Sequence, residues 1–117
     1  MKKILNLTQH DASEDQKTAG VVDLPEEEKK VLRGLLTFDS IPTKYYLAIR
    51  AAKITLIAKS HGVTACMIGG APFFMGRLEA ALKSQEIASL YAFSKRVAIE
   101  KDGKKESIFV HEGFVHA

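Results

Sequence analysis

The chain has 117 residues, 46% of them apolar and 26% charged, with a formal net charge of +3. That length and balance fit one folded domain with one core and exclude a disordered or fibrous chain. No apolar run approaches the ~20 residues of a membrane helix, a single cysteine excludes an internal disulfide, and no basic block marks a duplex-binding surface, so the expectation is a cytoplasmic protein with neither a membrane nor duplex nucleic acid as partner.

The opening MKKILNLTQHD is too poor in apolar residues for a secretion signal and reads as a first strand, Lys3 to Leu7. Ser13 supplies an N-cap, and Gln16 stands three residues on, in capping-box spacing. Glu14 and Asp15 suit the positive end of the dipole, so a short helix ends at Gly20. Val21 to Leu24 is a second short strand, stopped by Pro25. Pro25 opens a helix over EEEKKVLRGLL, acidic first and basic later, with Leu32, Leu35 and Leu36 as its apolar face. TFDSIP breaks the pattern, and Asp39 or Ser40 can cap the next helix. That helix, Thr43 to Ser60, aligns Leu47, Ala51, Ile54, Ile57 and Ala58 in one stripe and closes at Gly62.

VTACMIGG is an unbroken apolar strand, which implies burial on both faces and a central, parallel position. The following helix carries Phe74, Leu78, Ala81 and Leu82 on one side. Ser89 to Phe93 is a fourth strand, and Lys95 to Glu100 stays extended without a turn. Asp102-Gly103 marks a two-residue hairpin. Ser107 to Phe114 is the last strand, bulged near Gly113. Strands alternating with helices predict a single α/β domain over residues 1–117. It is a small Rossmann-like three-layer fold with a mostly parallel sheet, right-handed crossovers and a C-terminal antiparallel hairpin.

Open parallel sheets bind ligands outside the carboxyl ends of their strands. The first end carries Asn6, Thr8, Gln9 and His10, the third Gly69 and Gly70, the fourth Ser94, Lys95 and Arg96. Glycines let a ligand approach the backbone, and the helix after them offers free N–H groups to an anion; the same pair also reads as a plain turn. Histidine as a residue type suits acid/base work near neutral pH, so His10 is a candidate for that role, or it is a surface residue. Thr8 and Gln9 can hydrogen-bond a base, a ribose or their own loop. Arg96 has the planar fork that fits phosphate, with Lys95 beside it and Ser94 able to bond a phosphate oxygen; the alternative is ordinary strand-edge solvation. His10, Lys95 and Arg96 are thus the candidate catalytic residues, and Asn6, Thr8, Gln9, Gly69, Gly70 and Ser94 the candidate ligand-binding ones. No orienting acid is identifiable, Asp11 and Asp23 qualifying on position alone. GGAPFF is neither a dinucleotide fingerprint nor a phosphate-binding loop with its lysine, so no cofactor is expected. Scattered histidines, His111 and His116 included, set out no metal site.

The pieces ILNLTQHDASEDQKTAGVVDLP, LLTFD, MIGGAPFFMGRLEAAL and LYAFSKR resemble a family of small, largely uncharacterised bacterial and phage proteins, over nearly the whole chain. The NLTQH start with its SEDQ segment is also similar to that of compact CRISPR-associated ring nucleases of antiviral defence. That resemblance implies a homodimer that binds or cleaves cyclic oligoadenylates, with Asn6, Thr8, Gln9, His10, Ser94 and Arg96 as the carried-over residues. Three readings result: a domain that binds an anionic nucleotide or cyclic oligonucleotide and hydrolyses it, one that only sequesters it, and an interaction module in which the hairpin joins subunits.

Overall fold

The computed structural model describes residues 3–117. Among these, nine elements follow in order: β1 (Ile4–Leu7), α1 (Glu14–Thr18), β2 (Val21–Val22), α2 (Glu26–Leu36), α3 (Lys44–Ser60), β3 (Ala65–Ile68), α4 (Pro72–Ser84), β4 (Ala88–Lys101) and β5 (Lys104–His116). The strands form one sheet in the order β2-β1-β3-β4-β5, parallel except for the β4–β5 pair. The fold is the expected α/β domain with its terminal hairpin.

Local chemistry accounts for most of the boundaries. Ser13 Oγ accepts from Gln16 N while Gln16 Oε1 accepts from Ser13 N, the full capping box. α3 is capped by Thr43, whose hydroxyl accepts from Tyr46 N at 3.1 Å. Asp39 and Ser40 stand too far upstream, because Pro42 keeps the preceding residue out of helical backbone. Asp102 and Gly103 both take positive φ, 52° and 75°, as a tight hairpin with the twist of its strands requires. Two strands are shorter than expected: Leu24 turns away from β2, and β3 ends at Ile68, before the glycines.

Alternation along the strands divides the core in two. Leu5, Leu7, Cys66 and Ile68 face α2, α3 and α4, meeting Leu32, Ile54, Phe74, Leu78 and Leu82 in the larger cluster. Ile4, Ala65, Met67 and Leu90 face the other way, under Ala12 at the approach to α1 and beside Phe114. All four residues of β3 are buried, as a strand covered on both faces must be.

The hairpin departs most from expectation. β4 does not end at Phe93; it runs on to Lys101, and β5 begins at Lys104 rather than Ser107. Only Ala88, Ser89 and Leu90 pair with β3. From Ser94 outward the two strands form a free ribbon of about 27 Å, at 3.4 Å per residue. Its base carries the expected bulge, since Phe93 pairs with Gly113 but Ser94 with His111. The radius of gyration, 15.7 Å, exceeds the ~13 Å of a compact chain this long, as a projecting arm makes it.

Candidate functional site

From β1 the chain moves outward to β2, then returns across β1 to β3. The carboxyl ends of β1 and β3 therefore flank the point where strand order reverses, the place an open sheet keeps for ligands. What stands there is set by one buried side chain. Asn6, only 4% exposed, makes four hydrogen bonds. Its Nδ2 donates to His10 O at 2.7 Å and to Asp23 Oδ1 at 2.8 Å; its Oδ1 accepts from Thr8 N at 2.9 Å and from Thr8 Oγ1 at 2.7 Å. Asp23 Oδ1 also accepts from Ala12 N at 3.0 Å. Asn6 and Asp23 thus fold residues 8–12 into a fixed loop over the end of β1. Asn6 spends every bond on this task, so it is a positioning residue.

Gln9 is tied at its far end, Nε2 donating to Leu36 O at 3.3 Å. The His10 ring has no hydrogen-bond partner among the described residues. Lys29 Nζ donates to Asp11 Oδ1 at 2.7 Å and lies 3.8 Å from Asp23 Oδ2. The Lys29 hydrogen bond and charge hold the Asp11 carboxyl below the usual carboxylate range, and Asp11 in turn raises the Lys29 ammonium.

The second wall follows β3. α4 starts at Pro72, which has no N–H, and without a side-chain cap; Phe74 N and Met75 N both donate to Ala71 O, at 2.9 and 3.3 Å, which leaves Phe73 N as the first-turn N–H open to another acceptor. The two glycines before it play different parts. A Cβ on Gly69 would stand 3.4 Å from Thr8 Cγ2, across the mouth of the site. A Cβ on Gly70, whose φ of +157° is rare for other residues, would face Met75 Cε at 3.2 Å and Leu36 Cδ2 at 3.7 Å, the packed side.

Together these walls enclose a crevice of about 620 Å³, lined by the 8–11 loop, Ser13 and Gln16, Met67 to Gly70, and Tyr91 and Ala92. That volume suits a small-molecule ligand. No lysine or arginine is among the lining residues. An anion here would rely on backbone N–H groups, hydroxyls and amides, with His10 as the titratable side chain that lacks a partner.

Of the expected site residues, Thr8, Gln9, His10, Gly69 and Gly70 meet around this crevice, and Asn6 lies beneath it. Ser94, Lys95 and Arg96 do not line it. They stand on the ribbon because β5 continues to pair with β4 past the sheet's edge. Arg96 stacks over Phe109, its guanidinium carbon 5.2 Å from the ring centre. Pattern reading passed over Ser13, Gln16 and Ala92 as lining groups; the capping box of α1 does bring Ser13 and Gln16 to the same end of β1 as His10. Tyr91 bonds the Glu79 carboxylate, and burial with that bond pushes its phenol up to about 12. Burial also raises the Cys66 thiol to about 12. His111 is half-buried rather than exposed, its ring nitrogens enclosed without a partner and its ring edge-on to Phe114 at 4.9 Å. Among the described residues no group of three or more His, Cys, Asp or Glu side chains could hold a metal ion, and no helix is long and apolar enough to cross a membrane.

A short, mostly parallel sheet with a crevice at its switch point defines a small α/β domain. The chain belongs to the uncharacterized protein MJ1673 family, whose model matches residues 2–115. No curated protein and no solved structure matches it.

Proposed function

We propose that the crevice binds a nucleotide or a short, cyclic oligonucleotide, with a phosphate over Gly69 and the start of α4 and a base or ribose against Thr8, Gln9 and His10. One observation carries this reading: two loops distant in sequence, 8–11 and 69–70, meet at the switch point around one crevice of about 620 Å³. Size and charge favour the larger ligand. Arg96 lies four residues beyond Ala92 on β4, about 13 Å along the strand. A mononucleotide seated on the glycines stops short of it, whereas a ring of several nucleotides spans both. The resemblance to compact ring nucleases, and with it a role in CRISPR-linked or phage-related defence in the cytoplasm, is consistent with such a ligand and names cyclic oligoadenylate as its first candidate.

Binding without cleavage is the form the geometry favours. Hydrolysis would use His10 as acid or base and Lys95 or Arg96 to stabilise phosphate charge, and these cations stand outside the crevice. Calorimetric titration against a panel of nucleotides and cyclic oligoadenylates tests the proposal: heat with at least one member is expected, and none with any member refutes it. Chromatography of the ligand after the protein is denatured separates the two forms. Intact ligand marks a sequestering protein; linear products would establish an enzyme.

A further inference from the structure

Beyond the sheet, the β4–β5 ribbon carries one face of the crevice outward. Alternation along β4 puts Ala92, Ser94, Arg96 and Ala98 on that face, and pairing adds His111 opposite Ser94 and Phe109 opposite Arg96. This is the side of the sheet that α1 approaches, because Phe114, opposite Ala92, packs with Ala12 and Leu90. Ala92, Ser13 and Gln16 line the crevice. A ligand that leaves it along this face passes Ser94 and reaches the Arg96–Phe109 pair about 13 Å on. Phe93 and Lys95 stand on the opposite face.

Phe109 is 68% exposed, even though the Arg96 guanidinium stacks over its ring. Farther out, Glu100 stands opposite Lys105, so opposite charges offset there and Arg96 is the first lysine or arginine a ligand meets on this face. An exposed ring beside a cation is the arrangement that holds unpaired bases in single-strand binding proteins: the ring stacks on a base and the cation follows the backbone. An arginine fork reaches phosphate oxygens with its N–H edge while its plane stays stacked.

We infer that Phe109 is a base-stacking residue. A ligand seated in the crevice lays a second, unpaired nucleobase on this ring, and Arg96 turns its N–H edge to a phosphate beside that base. The inference rests on the crevice reading above and narrows its ligand class to single-stranded or cyclic oligonucleotides, since a mononucleotide or an inorganic polyphosphate has no second base. Every base presents a π-face, so Phe109 selects for an unpaired base rather than for its identity. Discrimination among bases is left to the crevice.

Fluorescence tests the contact. The chain has no tryptophan. Phe109→Trp therefore places a lone fluorophore at the contact, and Phe93→Trp, half-exposed on the opposite face, places one away from it. The probes are cyclic tetra-adenylate, linear tetra-adenylate, AMP and inorganic triphosphate. At least one tetra-adenylate should quench Phe109→Trp saturably, AMP and triphosphate should not, and Phe93→Trp should respond to none. Phe109→Leu keeps the apolar bulk without the ring. It should bind that tetra-adenylate at least about fivefold more weakly by calorimetry, with unchanged circular dichroism, and Phe109→Tyr should bind as the wild type does. A tetra-adenylate that gives heat with the wild type but leaves Phe109→Trp unquenched, quenches Phe93→Trp equally, or binds Phe109→Leu as tightly overturns the inference and leaves the crevice reading standing. No heat from any probe with the wild type counts against the crevice reading, and the inference falls with it.

Discussion

Asn6→Ala is the sharpest test of how the crevice is built. The substitution removes four hydrogen bonds of 2.7–2.9 Å and leaves Thr8 N without its acceptor, while His10 O keeps Thr8 Oγ1 as a donor at 3.1 Å. Hydrogen bonds contribute about 0.5–1.5 kcal/mol each net, more where a buried partner is stranded. Water reaches part of the 8–12 loop and re-solvates some of these groups, which brings the total to about 2–4 kcal/mol. At roughly 4 °C per kcal/mol for a domain of this size, the melting temperature falls by about 8–16 °C. The loop should loosen before the core does, because the Asn6 bonds reach only residues 8, 10 and 23. Hydrogen exchange should therefore show amides 8–12 losing protection while those of β3 keep theirs. Asn6→Asp should be no milder, since it trades the Nδ2 donor for a carboxylate facing Asp23 Oδ1. A fall below about 2 °C with the loop still protected would refute the positioning role.

The two glycines should separate under substitution. Gly70→Val meets the packed side at a rare φ and should cost about 1–3 kcal/mol of stability, read by thermal melting. Gly69→Val meets Thr8 across the crevice and should abolish ligand heat while the melting temperature stays within a few degrees. Cys66, its thiol raised to about 12, should resist alkylation at about pH 8 in the folded chain and react once in guanidinium. For Tyr91 the folded phenol titrates at about 12 against 10.0 unperturbed, so the neutral form is the one folding favours. Its contribution is complete below pH 10 and is lost as pH rises from there to about 12. Tyr91→Phe should lose less stability over that interval than the wild type, by urea denaturation at several pH values.

Short-range signals in the sequence located most elements because each has a local cause. The Ser13–Gln16 box, the Asp102-Gly103 turn and the unbroken apolar run of β3 depend on neighbours a few residues apart. The five-residue stripe of α3 reports a whole face, with Leu47, Ala51, Ile54 and Ala58 buried and Ile57 partly so. The length of β4 has no such signature. A period-two pattern is the same whether a strand lies in a sheet or runs beyond it, and only the extent of β3 decides where the sheet ends. Ser94, Lys95 and Arg96 were placed at a strand end by that ambiguity. The division between Gly69 and Gly70 is equally illegible, since it depends on where Thr8 and Met75 sit in space. The convergence of His10 with the glycines was readable because parallel strands bring their carboxyl ends to one side by topology alone.

The absence of lysine and arginine from the crevice lining yields a test of ligand size. Backbone N–H groups and amides bind an anion without a protein cation to replace the counterions around its phosphates, so a compact ligand held there should respond weakly to salt. A longer ligand that also reaches the ribbon face continuing from Ala92 adds Arg96, whereas Lys95 stands on the opposite face. For single-stranded nucleic acid, affinity falls with a logarithmic slope of about −0.7 per phosphate contacted by a cation. One such contact reduces affinity about 2.6-fold between roughly 50 and 200 mM salt, and Arg96→Ala removes that dependence. A mononucleotide should show neither effect. If a cyclic oligonucleotide binds with the flat salt dependence of a mononucleotide, and Arg96→Ala leaves it unchanged, then the ribbon takes no part in ligand binding and the crevice alone defines what the protein holds.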